Sequence, residues 1–147
     1  MVNFTAKEFL CIIIAGVLML VSHNIDAETT IQLHTFSKHV NNSENYNEVN
    51  YGLGLRIKVD EPHLMHDYFT IGVYENSERH TSHYIGIGYE WKVGNVILGI
   101  AGGAVSGYTM GNILPYVVPT IRYKKVAFVF HAYPEATVHM TIDIANF

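Results

Sequence analysis

Residues 49–59 read VNYGLGLRIKV, and their alternation decides the fold class. One set of alternate positions is large and apolar or aromatic: Val49, Tyr51, Leu53, Leu55, Ile57 and Val59. The positions between them are small, polar or charged: Asn50, Gly52, Gly54, Arg56 and Lys58. Successive side chains of a β-strand point to opposite faces, so this period of two predicts a strand with one apolar and one polar face.

The same alternation recurs along the chain, and no stretch beyond Ala27 repeats apolar residues at helical spacing. Polar, glycine and proline clusters mark the turns between the alternating runs. They predict eight strands near 29–37, 49–58, 68–75, 83–91, 96–106, 113–122, 124–133 and 136–145. An even number of antiparallel strands can close on itself and leave no unpaired edge.

The chemistry of the two faces indicates which kind of barrel to expect. A soluble barrel places large apolar side chains inside, whereas here the small and polar face suits the interior. We therefore expect an all-β fold, an eight-stranded antiparallel up-and-down transmembrane β-barrel with its apolar face toward lipid. Tyr51, Tyr89, Trp91 and Tyr116 would form an interfacial aromatic belt. A secreted β-sandwich, whose apolar faces pack together, is the alternative.

The terminal Phe147 fits the membrane-barrel hypothesis only in part. Outer-membrane barrels commonly end in an aromatic residue, but Phe147 is out of phase with Ile142 and Ile144. The phase counts against the membrane hypothesis.

The first 27 residues predict a secretory signal peptide. Lys7 precedes an apolar run over 9–21, and Ala27 ends a plausible cleavage site. The run is shorter than the roughly 20 residues that a membrane-spanning helix needs, so an anchor is the weaker alternative. Residues 28–147 then form the barrel domain. Cys11, the single cysteine, lies in the apolar run, so no disulfide is expected in the mature chain.

Charge gives little reason to expect a nucleic-acid partner. The 147 residues carry nine Lys or Arg against 13 Asp or Glu, with no basic cluster beyond Lys124-Lys125. Nucleic-acid binding usually needs a basic patch.

The stretch YENSERHTSHY, residues 74–84, concentrates proton-handling side chains between two strands. Strand alternation puts this link at the same end of the barrel as 38–48, 107–112 and 134–135. His34, near the end of the first strand, would point inward, and His39 would follow in the first loop. A hydroxyl near a histidine is a common arrangement for acyl transfer. Ordinary solvated loop residues are the alternative interpretation.

Two histidine pairs, His63-x-x-His66 and His80-x-x-His83, have the spacing of metal ligands. Neither has a nearby cysteine or a clear third ligand, and a loop gives such a pair no fixed geometry. We expect neither a metal nor a cofactor.

Several motifs resemble the outer-membrane lipid A palmitoyltransferases, eight-stranded barrels that move a palmitoyl chain from a phospholipid to lipid A. "LHTFSKHVNNSENYNEVNYGLGL" is similar to the family's first-strand histidine, its Tyr-Asn-Glu and its glycine-rich strand, with His34 at the histidine. "ENSERHTSHYIGIGYEW" puts Asn76 and Ser77 where the family has Asp-Ser. The resemblance spans nearly all of the mature chain, in short and fragmentary motifs.

"LPYVVPTI" resembles the family's strand with two prolines four residues apart, and Pro134 resembles a following proline. Pro115 and Pro119 cannot donate to a ladder, so they would leave unpaired backbone between neighbouring strands. In the family such gaps admit lipid sideways from the membrane.

The chain departs from the family in three ways, one of which is that its mature part is shorter than the family's. Asn76 replaces an aspartate, and an amide neither carries the charge nor accepts a proton as a carboxylate does. His34 would then lack its partner unless Glu75 or Glu78 supplies one. The first strand also begins almost at once, which leaves no room for the amphipathic helix that precedes the family's barrel.

The resemblance implies an acyltransferase that moves a fatty acyl chain from phospholipid to lipid A, without a cofactor. His34, Asn76 and Ser77 would be catalytic. Substrate would contact His39, Tyr74, Gly86, Gly88, Pro115, Pro119 and Pro134, and the inner glycines would either open a slot for a hydrocarbon chain or relieve strain in a curved sheet. We expect a monomer embedded in the outer membrane of a Gram-negative bacterium, encoded by the bacterium or by a phage. An inactive barrel that binds lipopolysaccharide or blocks a surface receptor, and a lipid A acyl hydrolase, are the alternatives.

Overall fold

A computed structural model describes residues 28–40, 45–59, 67–132 and 136–147. The predicted signal peptide, residues 1–27, lies outside this range. The described residues form eight strands: β1 Thr29–His39, β2 Val49–Lys58, β3 Tyr68–Glu75, β4 Thr81–Val93, β5 Val96–Tyr108, β6 Gly111–Tyr123, β7 Val126–His131 and β8 Thr137–Asn146. No helix among them is long and apolar enough to cross a membrane.

The strands close into one antiparallel barrel in sequence order, with β8 pairing back to β1. The predicted all-β fold and eight-stranded antiparallel barrel are confirmed, and the β-sandwich alternative is wrong because both edges of the sheet are joined. One end of the barrel, which we call the mouth, contains the strand ends His39, Val49, Glu75, Thr81, Tyr108, Gly111, His131 and Thr137. The described residues 45–48 belong to the first mouth loop, and residues 76–80 form the second. The opposite end contains the strand ends Lys58, Tyr68, Val93, Val96, Tyr123 and Val126.

The polar face of the strands is inside, as the alternation predicted. Thr30, Gln32, Arg56, Thr70 and Thr141 are buried. Large apolar side chains cover the outside, among them Leu53, Ile85, Ile87, Leu98, Ile100, Val117 and Ile121. The exterior of the barrel is therefore largely hydrophobic.

Outward aromatic residues occur near both ends of the barrel. Tyr51 lies near the mouth, and Tyr89, Trp91 and Tyr123 lie toward the opposite end, all substantially exposed. Tyr116 was predicted to join them, but this is wrong. It shares the inward phase of Val118 and packs against the small core of Tyr68, Ala101 and Val118.

A β-bulge in β8 resolves the phase of Phe147. Ile31 pairs with Ala145 and Gln32 with Asp143, so Ile144 is an extra residue in the ladder. A bulge turns the following side chains to the other face. Phe147, which exchanges backbone hydrogen bonds with Thr29, is consequently on the outer face and 76% exposed. The objection raised by its phase is removed.

Candidate functional site

The barrel encloses a cavity of about 410 Å³ that reaches from the mouth toward the opposite end. Strands β1 and β8 give it a polar wall that includes His34, His39, His139 and Thr141. Strands β5 to β7 give it an apolar wall: Ala101, Val105, Leu114, Val118 and Val129. The interior thus offers polar chemistry on one side and room for apolar groups on the other.

A second β-bulge, at Thr35, brings His34 and His39 into this cavity together. The register passes from His34 opposite Thr141 to Phe36 opposite Met140, so Thr35 is the extra residue, and its hydroxyl donates to the carbonyl oxygen of Met140 at 3.0 Å. Residues five apart on a regular strand point to opposite faces, but both histidines are buried inside. His39 was predicted in the first loop; it is instead the last residue of β1.

His34 is held on both ring nitrogens. Its Nδ1 lies 3.1 Å from Nε2 of His139, and its Nε2 lies 2.9 Å from the hydroxyl of Tyr84. The ring also stacks on Tyr74, with centroids 5.1 Å apart and an interplanar angle of 16°. His34 is therefore an oriented, buried imidazole that faces the cavity.

Aromatic contacts continue this site toward the mouth. The hydroxyl of Tyr74 lies 3.0 Å from that of Tyr108, so the predicted Tyr74 supports both His34 and the end of β5. His39 stacks on Tyr46 with centroids 4.6 Å apart. Both pairs contribute side chains to the cavity wall.

Asn76 is fully buried, but its amide serves its own loop. Its Nδ2 donates to Oγ of Ser82 at 3.0 Å and to the carbonyl oxygen of Gly107 at 2.8 Å. Its Oδ1 accepts from the backbone N–H groups of Glu78 and His80, each at 2.9 Å. A carboxamide has two donors and one oxygen with two acceptor positions, so these four bonds use its full capacity. None of them goes to His34.

Ser77 lines the same cavity as His34 and is half-buried. Its carbonyl oxygen accepts from the backbone N–H of Asn47 at 2.8 Å, which joins the first and second mouth loops. Of the three predicted catalytic residues, the cavity wall therefore includes His34 and Ser77, while Asn76 braces the loop behind them.

Tyrosine rings occupy the space above the inner glycines. A Cβ at Gly86 would overlap the hydroxyl of Tyr116, and one at Gly88 would overlap the ring of Tyr68. Gly54 and Gly72 make room in the same way for Tyr84. In the described residues the cavity wall includes these tyrosines but not Gly86 or Gly88. The glycines accommodate rings, which is a third role beside the slot and the strain relief that the sequence suggested.

The two described prolines face outward beside a short ladder. Strands β5 and β6 pair through both of them, Ala104 with Pro115 and Ile100 with Pro119. On the other side, the β6–β7 ladder that the structure describes begins at Thr120, one residue after Pro119, and has four pairs. Pro115 also contributes to the cavity wall. Pro134 lies outside the described residues.

A buried charge network lies toward the end of the barrel opposite the mouth, where Gln32, Arg56 and Arg122 contribute to the cavity wall. Glu90 accepts from Arg56 and lies 3.5 Å from Nε of Arg122, which also pairs with Asp143. Gln32 donates to Asp143 at 3.1 Å. These four charged side chains are 10 to 13% exposed, and each acid has an Arg partner, as burial requires. The alternation of the sequence predicted that these side chains point inward. Which of them pair with each other could not be predicted, because the pairs join different strands of the closed barrel.

The exposed charges at the mouth behave differently. Lys38 donates to both carboxylate oxygens of Glu48 at 2.9 Å. This hydrogen bond lowers the pKa of the Glu48 carboxyl. His80, 3.6 Å from Glu78, is also largely exposed, and His83 shares the outward phase of Ile85.

Sequence reasoning did not single out His139 and Tyr84. Both residues occupy inward positions of alternating strands, so the sequence pattern could predict that their side chains point into the barrel. Their meeting with His34 depends on β8 closing against β1 and on glycines 54 and 72 admitting the Tyr84 ring.

The described residues contain no group of three or more His, Cys, Asp or Glu side chains arranged to hold a metal ion. His63 and His66 lie outside them. No protein-family model and no curated protein sequence matches this chain.

Proposed function

We propose that this protein is an outer-membrane acyltransferase that moves a fatty acyl chain from a phospholipid to lipid A. One observation carries the proposal: a single cavity combines the oriented imidazole of His34 with an apolar wall and reaches Pro115, in the part of β6 that precedes the short β6–β7 ladder. The motif resemblance points to the same activity.

The exterior supports insertion in an outer membrane. Apolar side chains cover the outward face, aromatic residues lie near both ends, and the interior carries the charges. Lipid-spanning barrels have this distribution. With the mouth toward the outside of the cell, the cavity opens at the level of lipopolysaccharide.

The short ladder suggests the path of the donor lipid. A closed barrel normally pairs every strand along its length, so missing pairs weaken the wall locally. Val117, between the two prolines, is 74% exposed on the outer face at this point. An acyl chain that passes here would reach the apolar wall of β5 to β7.

His34 would act as the general base. The acceptor hydroxyl of lipid A takes the position at Nε2 that Tyr84 occupies and gives its proton to that nitrogen. The hydroxyl oxygen then forms a bond to the ester carbonyl carbon of the phospholipid. The bond between that carbon and the glycerol oxygen breaks, and His34 returns the proton to the departing alkoxide. The products are acylated lipid A and a lysophospholipid.

Ser77 and the backbone amides of the second mouth loop would stabilise the negative charge that develops on the carbonyl oxygen. Donors that are already oriented give such stabilisation without reorganisation in the transition state. The bonds of Asn76 to Glu78 and His80 hold this loop in shape. Asn76 therefore supports the reaction as a structural residue in this proposal.

A second candidate is a barrel without catalysis that binds lipopolysaccharide. Asn76 favours it, because its side chain bonds Ser82, Gly107 and the backbone of Glu78 and His80, and none of these bonds goes to His34. His34 is also paired with an imidazole where the resembling family has a carboxylate available.

The test is mass spectrometry of lipid A from a Gram-negative host that expresses the full chain. His34→Ala removes the proposed base, and His80→Ala removes a histidine exposed at the mouth as the matched control. A gain of one acyl chain that is lost only in His34→Ala supports the transferase, with general acid–base catalysis contributing about 10²- to 10⁴-fold. An unchanged spectrum, with folded protein in the outer membrane, supports the second candidate, a barrel that binds lipopolysaccharide without catalysis. A loss of acyl mass indicates hydrolysis.

A further inference from the structure

Barrel closure brings two histidines that are 105 residues apart into contact. In the β1–β8 ladder His34 is opposite Thr141 and Ser37 is opposite His139. Both imidazoles are buried, at 6% and 8% exposure. Their rings meet edge to face, with centroids 5.0 Å apart and an interplanar angle of 82°. This geometry directs a nitrogen of each ring at the other.

The phenol of Tyr84 and the imidazole of His139 together determine which nitrogen of His34 carries the proton. Tyr84 and Nε2 of His34 are 2.9 Å apart, and one of them must donate. A phenolic O–H is a stronger donor than a neutral imidazole N–H, and an imidazole imine nitrogen is a stronger acceptor than a phenolic oxygen. Tyr84 therefore donates to Nε2. The proton of His34 is then on Nδ1, which donates to Nε2 of His139.

We infer that His139 is a positioning residue, which fixes His34 in the Nδ1–H tautomer and turns the Nε2 lone pair toward Tyr84 and the cavity. Its catalytic consequence rests on the proposed function, in which Nε2 of His34 is the base. A nucleophile–base pair commonly needs a third group to orient the base. His139 supplies that group on β8, at the place in the site where Asn76 does not reach.

The contact with Tyr74 completes the restraint. Its ring lies nearly parallel to that of His34, so it limits rotation out of the plane. Tyr74 and His139 also pack against each other, with centroids 5.4 Å apart at 86°. Three aromatic neighbours thus define one orientation of His34, and in the described part of the chain His139 is the partner that faces its Nδ1.

The test is imidazole ¹⁵N NMR of the histidine-labelled full chain in detergent micelles. The signals of His34 are those missing from the spectrum of His34→Ala. We expect an unprotonated Nε2 and a protonated Nδ1. His139→Gln places an amide oxygen near the former Nε2 and preserves this pattern. His139→Phe keeps a ring but offers no acceptor, so the Nδ1–H tautomer loses its partner, and the tautomer with the proton on Nε2, which can donate to the Tyr84 oxygen, gains population.

Activity supplies the second readout. His139→Phe lowers kcat for lipid A acylation by about tenfold, the factor expected for the loss of one hydrogen bond, with little change in KM. His139→Gln, which keeps an acceptor, should recover most of the lost kcat. A purely structural role of His139 would instead move stability and leave the tautomer of His34 unchanged.

The inference is overturned if the wild-type spectrum has its proton on Nε2 of His34, or if His139→Phe leaves the tautomer unchanged. The tautomer of the wild-type protein is measured without any variant of His139, so the inference can be overturned even if His139→Phe folds poorly. A wild-type protein that shows the expected tautomer but acylates nothing removes the proposed function alone. Active protein with an unaffected His139→Phe variant removes the inference alone.

Discussion

The side-chain Nδ2 of Asn76 donates to the carbonyl oxygen of Gly107 at 2.8 Å, and this bond ties the second mouth loop to the end of β5. Gly107 has a φ of 90°, a conformation that side chains disfavour, and a Cβ there would overlap the carbonyl oxygen of Thr81. Glu78 adds a second tie, because it accepts from the backbone N–H of Thr109 at 2.8 Å. The mouth loops are therefore braced against one another beside the cavity.

Asn76→Asp, which gives the chain the aspartate of the resembling family, should destabilise it. A carboxylate cannot donate to Ser82 or Gly107, and each unsatisfied buried group costs about 1–3 kcal/mol. We expect a lower midpoint of urea unfolding in detergent. Asn95→Asp, at an exposed position of the turn between β4 and β5, is the matched control. A variant as stable as the wild type and more active in lipid A acylation would show that Asn76 had replaced a working carboxylate.

Glu90→Gln should be among the most destabilising single changes in the chain. It leaves Arg56 and Arg122 buried without their shared carboxylate, and breaking a buried ion pair costs about 3–5 kcal/mol. Urea unfolding followed by tryptophan fluorescence measures the change. A near-neutral result would mean that water enters the lower barrel and solvates the two Arg side chains.

Glu48 and Lys38 form an exposed ion pair, in contrast to the buried network. We expect Glu48→Gln to cause little change in the free energy of unfolding. Its partner Lys38 is 68% exposed, and solvent screens such pairs. The folded pKa of Glu48 is lowered, so any stabilisation is present above the ordinary carboxyl pKa and is lost as the pH falls through the lowered value. Unfolding midpoints of wild type and Glu48→Gln should therefore converge in acid. A gap that widens in acid contradicts this.

Gly86→Ala should displace Tyr116 and destabilise the barrel by about 1–3 kcal/mol. The added methyl group would overlap the Tyr116 hydroxyl and lie 2.8 Å from the carbonyl oxygen of Gly102. Gly102→Ala is the control, since its Cβ would have its nearest contact at 3.5 Å. Adding Tyr116→Phe to Gly86→Ala should recover part of the loss. Equal stability of the two glycine variants would show that the tyrosine moves aside without cost.

Pro119→Val tests the short ladder. It restores a backbone N–H next to Thr120, the first residue of β6 paired with β7, and should slow lipid A acylation by making the wall continuous. Hydrogen exchange of the amides near Phe130 reports the added pairing. Val117→Ala, on the same outward face, alters side-chain size without changing the backbone donors. Protected amides with an unchanged acylation rate would exclude this part of the wall as the entry path.

The strands were predictable because alternation is a local property, and β2 and β3 begin and end where the pattern predicted. Closure of the barrel followed from the even number of strands. What alternation cannot give is a change of phase within a strand. Thr35 and Ile144 are extra residues in their ladders, and nothing in their own side chains marks them as bulges.

The site was predictable only in part, for a related reason. His34 and Ser77 were found from their types and from the end of the barrel that they share. The pairing of His34 with His139 depends on the β1–β8 register, which no local pattern contains. The four bonds of Asn76 depend on how its loop folds back on itself, so a motif position alone suggested a reactive role.

The bulge at Thr35 determines which way the last residues of β1 point. If Thr35 took a regular place in the ladder, Phe36 and Lys38 would turn inward, and Ser37 and His39 would move to the outer surface. Deleting Thr35 would remove the bulge and leave these four side chains on their present faces. In a comparison of this chain with any relative, the number of residues between the two histidines is therefore more informative than the histidines themselves. If the two histidines are an odd number of positions apart, both face the cavity only when a bulged residue lies between them. If they are an even number of positions apart, both face the cavity on a regular strand.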